Sequence, residues 1–138
     1  MTHILNEDRL FVLTRELLRN VKSGVVILQG DLAAGKTTLV KAVVKAMGVA
    51  DIVTSPTFSL QQCYGESIYH YDMYNHGLNH FLSMGMLEEL DKLGLHFVEW
   101  GDDELIELLG SIGINTTVIK ISKTSDNERE YQVTYAHP

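Results

Sequence analysis

Gly30, Gly35, Lys36 and Thr37 stand in the spacing G-x-x-x-x-G-K-[ST], within the stretch LQGDLAAGKTTLVKAVVKAMG from Leu28 to Gly48, and nothing else in the chain narrows its fold so far. Before the turn comes VVILQ (Val25 to Gln29), a short continuous apolar run of the kind found in a buried parallel strand. After it, Leu39, Val40, Val43, Val44 and Met47 recur at helical spacing up to Gly48. Strand, glycine turn and helix in that order form a phosphate-binding unit. Glycines let successive backbone N–H groups face inward around phosphate oxygens, and the helix adds the positive end of its dipole. Lys36 is then placed to reach the β- and γ-phosphates, and the Thr37 hydroxyl to ligate Mg2+. With this composition, the four fixed positions would arise somewhere in the chain by chance about half a percent of the time. The expected nucleotide-contacting set is Gly30, Asp31, Leu32, Ala33, Ala34, Gly35, Lys36, Thr37 and Thr38.

The remaining pattern supplies a scaffold for that turn. Asn6, Glu7 and Asp8 make a good helix start, and Leu10, Leu13, Leu17 and Leu18 follow at helical spacing, which predicts a helix near residues 7 to 21. Between residues 51 and 74 the period changes: Phe58 and Leu60, then Ile68, Tyr69, Tyr71 and Met73, predict two extended segments joined at Gly65-Glu66. Residues 79 to 92 read as helix, interrupted in quality by Gly85. LHFVEW (Leu95 to Trp100) reads as a second buried strand ending in an acid, followed by a short acid-capped helix, DDELIELLG. TTVIKIS and REYQVTYA flank KTSDNE as a hairpin. This order predicts one α/β domain over residues 1–138, a three-layer P-loop NTPase-like fold with a largely parallel central sheet and a C-terminal β-hairpin.

A phosphate-binding turn needs an acid at the end of a neighbouring strand to help hold the metal. Glu99 is the stronger candidate, because it leaves the strand at the carboxyl edge of the sheet, where ligands of open α/β folds bind. Asp72 in YHYDMY also ends an extended run, and His70 shares its face of that strand. In TSPTF, Pro56 fixes a bend between hydroxyl residues, among them Thr57, where a loop can close over the γ-phosphate. Three of the four arginines, Arg9, Arg15 and Arg19, fall on the first helix, and Arg129 opens the last strand, from which it can approach the nucleotide. If none reaches the γ-phosphate, hydrolysis is expected to be slow until a partner supplies or positions a cation.

Composition removes several classes of function. The single cysteine, Cys63, has no second thiol for an intramolecular bridge or a CxxC pair, so neither a disulfide-linked partner nor an oxidising compartment is expected. No apolar run approaches the roughly 20 residues needed to span a bilayer, and the opening MTHILNEDRL lacks a basic start followed by an apolar stretch. No membrane association and a cytoplasmic location are the expectations. A net charge of -7 argues against autonomous binding to a nucleic-acid backbone, so any role on RNA would run through a basic partner. A guanine-reading N-K-x-D motif does not occur, and DKLG at Asp91 precedes its strand instead of following one. A small-molecule kinase stays an alternative, although the chain shows neither an obvious lid nor the extra arginines that would clamp a second phosphate-bearing substrate. A nucleotide-gated regulatory module without turnover needs the same cradle as a slow ATPase, and both stay open at this level.

With these motifs in order, the chain resembles the TsaE family, small bacterial P-loop ATPases that serve the making of threonylcarbamoyladenosine in tRNA. The resemblance covers nearly the whole chain. It rests on GDLAAGKTT for the family's glycine loop; Ser55, Pro56, Thr57 and Phe58 for S-P-T-[FY]; His70, Asp72 and Tyr74 for H-x-D-x-Y; and Glu99 with Trp100 for E-W. Ala33 replaces a glycine common in the family's loop, and Asn75 stands where an arginine often follows. The resemblance implies ATP as the nucleotide, Mg2+ on Thr37 and Glu99, and a switch-like role for Ser55 to Thr57. It also implies association with the TsaB and TsaD proteins, the latter being the threonylcarbamoyl transferase, with tRNA engaged only indirectly.

Overall fold

The computed structural model describes residues 1–31, 34–51, 53, 61–74 and 77–136. Its centre is a seven-stranded sheet, and the element order explains how the chain builds it. β1 (Thr2–Asn6) leads through a 3-10 turn (Glu7–Arg9) into α1 (Phe11–Asn20). β2 (Gly24–Gln29), α2 (Lys36–Ala46), β3 (Gln61–Tyr64) and β4 (Ile68–Asp72) follow. Then come α3 (Leu78–Ser83), α4 (Met86–Leu90), β5 (Leu95–Glu99), α5 (Asp103–Ser111), β6 (Thr116–Lys123) and β7 (Glu128–Ala136). The strands lie in the order β1-β7-β6-β2-β5-β4-β3. The central pairs β6/β2, β2/β5 and β5/β4 are parallel, while β3 and the β6–β7–β1 side add antiparallel edges.

Period-two alternation in the central strands divides the core into two layers. Val26 and Leu28 of β2, with Leu95 and Phe97 of β5, face Leu13 and Leu17 of α1 and Leu39, Val40, Val43 and Val44 of α2. Val25 and Ile27, with Val98, face Phe81 of α3, Leu90 of α4 and Leu105 and Leu109 of α5. Each fully buried side chain of this size contributes about 1.5–3 kcal/mol by leaving water. The expected three-layer α/β architecture, with a parallel centre and a C-terminal hairpin, is therefore present. The connection from β2 leaves over the α2 face and those from β4 and β5 return over the other face, so the chain reverses across the sheet at β2. The glycine turn sits at that reversal, at the carboxyl ends of β2, β4 and β5.

Three elements depart from the sequence reading. Residues 2–6 form a strand that no helical or alternating signal marked, since only Leu5 in it is buried and its stability comes from pairing with β7. The helix expected near residues 7 to 21 starts later. Asn6 does cap, accepting the Arg9 N–H at 3.0 Å, but it caps the 3-10 turn, and α1 runs over Phe11–Asn20. The single helix expected over 79 to 92 is two, broken at Met84–Gly85, where glycine is a poor helix former and the Gly85 N–H closes a tight bond to Leu82 O. Phe58 and Leu60 of the first extended segment lie outside the described residues.

Candidate functional site

Buried charges and buried polar side chains mark the site. Lys36 is 5% exposed, Glu99 4% and His70 0%, and a charge taken from water needs partners at close range. All three converge at the carboxyl edge of the sheet beside the glycine turn. Lys36 opens α2, and its Nζ donates to the carbonyls of Gly30 at 2.7 Å and Asp31 at 2.8 Å. Its ammonium also lies 3.9 Å from the centre of the Trp100 ring. Burial pushes the Lys36 ammonium below its ordinary value of 10.5, while the charges of Glu99, Asp31 and Asp72 pull the other way.

The Thr37 hydroxyl donates to Glu99 Oε2 at 2.8 Å. The sheet register explains this meeting: Glu99 ends β5 opposite Leu28 of β2, two residues before Gly30 opens the turn that leads to Thr37 at the start of α2. The same oxygen, Oε2, accepts from His70 Nε2–H on β4. Asp72 pairs with Glu99 in register, but its Oδ1 accepts the Tyr74 N–H at 2.8 Å and its side chain is half-buried. Of the two acids proposed from sequence, Glu99 is the one that meets the threonine hydroxyl. Thr37 and Glu99 present hard oxygen donors of the type a magnesium ion takes.

Immediately after Glu99, Trp100 takes a positive φ of 66°, the only non-glycine residue among those described to do so. Such a backbone costs about 1–3 kcal/mol and persists where its surroundings impose it. The Trp100 N–H bonds Leu28 O at 3.0 Å, and the ring packs on Tyr74 at 4.8 Å between centroids. This turn is what carries the indole across the Lys36 ammonium. Nothing in the spacing of E-W foretold that contact.

Arg129 reaches the turn from β7. Its Nε–H donates to Ala34 O at 3.1 Å, and one terminal nitrogen donates to Ser125 O at 3.2 Å. The guanidinium thus holds the far side of the glycine turn against the hairpin. On one side of it opens a cleft of about 620 Å³ bounded by Gly30, Asp31, Lys120, Ser122 and Lys123. On the other lies one of about 480 Å³ bounded by Asn6, Glu7, Asp8, Gly35 and Thr38. In a chain of net charge -7, the three cations of the first cleft make a local positive field suited to an anion.

The structure therefore brings together Gly30, Asp31, Ala34, Gly35, Lys36, Thr37, Thr38, Glu99 and Arg129 around one turn, with Asp72 at the same sheet edge. Leu32, Ala33 and Thr57, with Ser55 to Phe58 around it, lie outside the described residues. Tyr64 and Gln62, which line up behind His70, carried no sequence signal, because a four-residue strand has too short a period to announce a partner on its neighbour. Among the described residues no helix is long and apolar enough to cross a membrane.

Comparison with known proteins identifies the family. The family model described as "Threonylcarbamoyl adenosine biosynthesis protein TsaE" matches residues 5–131. The tRNA threonylcarbamoyladenosine biosynthesis protein TsaE of Treponema pallidum is 36% identical over 115 residues, spanning 81% of this chain and 82% of that protein. The protein of the same name from Bacillus subtilis is 34% identical over 113 residues, spanning 80% of this chain and 68% of that one. Among solved structures, Bacillus subtilis YdiB superposes with a TM-score of 0.70 at 28% identity, covering 100% of this chain and 86% of the other. A family match over most of the length and relatives of one name place the chain in the TsaE family.

Proposed function

We propose that this protein is the Mg2+-dependent ATP-binding and hydrolysing subunit required for threonylcarbamoyladenosine modification of tRNA, acting with TsaB and TsaD. The observation that carries the reading is the convergence of the Thr37 hydroxyl and the Glu99 carboxylate, 2.8 Å apart, at the mouth of a glycine turn whose lysine is buried.

The donor chemistry fits magnesium in particular. Among the described residues no group of three or more His, Cys, Asp or Glu gathers as an all-protein metal cage. Mg2+ is commonly bound by one or two protein oxygens, with phosphate and water completing its shell, and Thr37 and Glu99 would be those oxygens. When bound, the ion neutralises charge on the β- and γ-phosphate oxygens.

The chain's own residues do the rest. Backbone N–H groups of the turn and of the first turn of α2 wrap the phosphates. Lys36, now bonded to the Gly30 and Asp31 carbonyls, would redirect its ammonium hydrogen bonds to the terminal phosphates, and the Trp100 ring would keep water from that side. Arg129 holds the Ala34 carbonyl and so keeps the turn in shape. Asp72, at the same edge, would orient an attacking water, and Thr57, between α2 and β3 in the sequence, would be the remaining catalytic group.

The test is the ATP hydrolysis rate of this protein alone and with purified TsaB and TsaD from the same source. Stimulation by the pair is expected. Fast turnover alone, or phosphate passed to a small molecule, would contradict the reading and indicate a free-standing hydrolase or kinase. Tight ATP binding with no turnover under either condition would replace the ATPase with a nucleotide-gated module.

A further inference from the structure

His70 belongs to no role described so far, yet it is fully buried and both ring nitrogens are engaged. It sits on β4, opposite Gln62 of β3 on one side and Phe97 of β5 on the other. The strand pleat turns it to the same sheet face as Tyr64, Phe97 and Glu99. Its Nε2 reaches Glu99 Oε2, and the Tyr64 hydroxyl bridges its Nδ1 at 3.0 Å and Gln62 Oε1 at 2.7 Å. A line of hydrogen bonds thus runs from the edge strand, through β4, to the carboxylate that meets Thr37.

The chain contains its own comparison. His96 is also 0% exposed and also has both nitrogens engaged, by the Tyr71 hydroxyl at 2.7 Å and by Lys92 O at 2.8 Å. Those partners do not touch the glycine turn, so His96 is a satisfied core histidine. His70 differs in where its bond ends. A single oxygen of Glu99 takes the Thr37 hydroxyl from one side and the imidazole from the other, which fixes the rotation of the carboxylate.

We propose that His70 is the positioning residue for Glu99, and that Tyr64 and Gln62 lock its ring, so that the carboxylate is pre-aimed at a divalent cation bound beside Thr37. The proposal rests on the reading of Glu99 as the metal acid. Outer groups that orient a metal-binding side chain commonly account for about 10–100-fold in metal affinity. Both ring nitrogens of His70 are engaged by protein atoms, so its effect passes through Glu99.

The experiment measures ATP affinity by calorimetry in EDTA and in Mg2+, with thermal stability recorded alongside. The ratio of the two affinities reports metal coupling independently of turnover. In His70→Phe, the Mg2+ enhancement is expected to fall by about tenfold or more, with affinity in EDTA held within about threefold of the parent. His70→Gln, whose amide can still donate to the carboxylate, should restore most of the enhancement, and Tyr64→Phe should lose part of it. An unchanged enhancement in His70→Phe overturns the proposal, as does a parallel fall in both affinities, which marks a structural role alone. Should His70→Phe not fold, Tyr64→Phe decides, and an unaltered ratio there overturns the proposal. If the parent protein binds ATP without any help from Mg2+, the assignment of Glu99 has failed first, and that is visible before any variant is compared.

Discussion

Replacing Gly30 by alanine separates two reasons for a glycine in this turn. A Cβ at Gly30 would stand 2.5 Å from the Ile121 carbonyl oxygen and 3.1 Å from the Ala34 Cβ, with the backbone at φ +152°. Ile121 lies in β6 and pairs with Tyr131 of β7, so its carbonyl cannot retreat without disturbing the hairpin. Gly35 has φ +108° and nothing within 4 Å of its would-be Cβ. Both substitutions incur backbone strain of about 1–3 kcal/mol. Only Gly30→Ala adds overpacking, of about another 1–3 kcal/mol. At about 3–4 °C per kcal/mol for a chain of this size, Gly30→Ala should melt about 3–12 °C below Gly35→Ala in nucleotide-free buffer. Differential scanning calorimetry of the two variants is the assay. Equal melting temperatures would refute the close approach of the turn to β6 as the reason for Gly30.

Other outcomes follow from the same geometry. Lys36→Ala should weaken ATP binding by about a hundredfold or more, since each charge-assisted bond to phosphate contributes about 1.5–3 kcal/mol; calorimetry measures the loss, and parallel melts separate it from the cost of freeing the Gly30 and Asp31 carbonyls. Glu99→Gln keeps the size of the side chain and removes its charge, so the Mg2+ dependence of Trp100 fluorescence on adding ATP should diminish; a variant with the parent's Mg2+ dependence would remove Glu99 from the site. Burial holds His96 below its ordinary value of 6.5. The unfolded chain therefore binds the extra proton first: the contribution of neutral His96 is complete above pH 6.5 and is lost as pH falls through the lower folded value. Urea unfolding between pH 7.5 and 5 should show a smaller acid loss of stability in His96→Gln than in the parent, the difference not exceeding about 1.4 kcal/mol per pH unit.

The parts of this molecule that were legible in its sequence are those written in local spacing. The glycine turn, its flanking strand and helix, and the acid ending β5 each announce themselves within a few residues, and the structure places Gly30, Lys36, Thr37 and Glu99 together as that spacing implies. What was not legible depends on distant pairing. β1 exists because β7 is beside it, and its own five residues carry no pattern. The tie between Arg129 and Ala34 spans 95 positions, so the sequence could offer Arg129 as a candidate without saying what it holds. His70 was visible as a neighbour of Asp72 on one strand face, but its bond runs to Glu99, across the sheet. Trp100 needed a left-handed backbone that no residue type there foretells.

The most direct test of the account is a calorimetric titration of ATP into this protein with and without Mg2+, repeated on Lys36→Ala. The account predicts saturable binding that tightens with Mg2+ and that the variant largely loses. Absent binding, or binding that Lys36→Ala leaves intact, would contradict it.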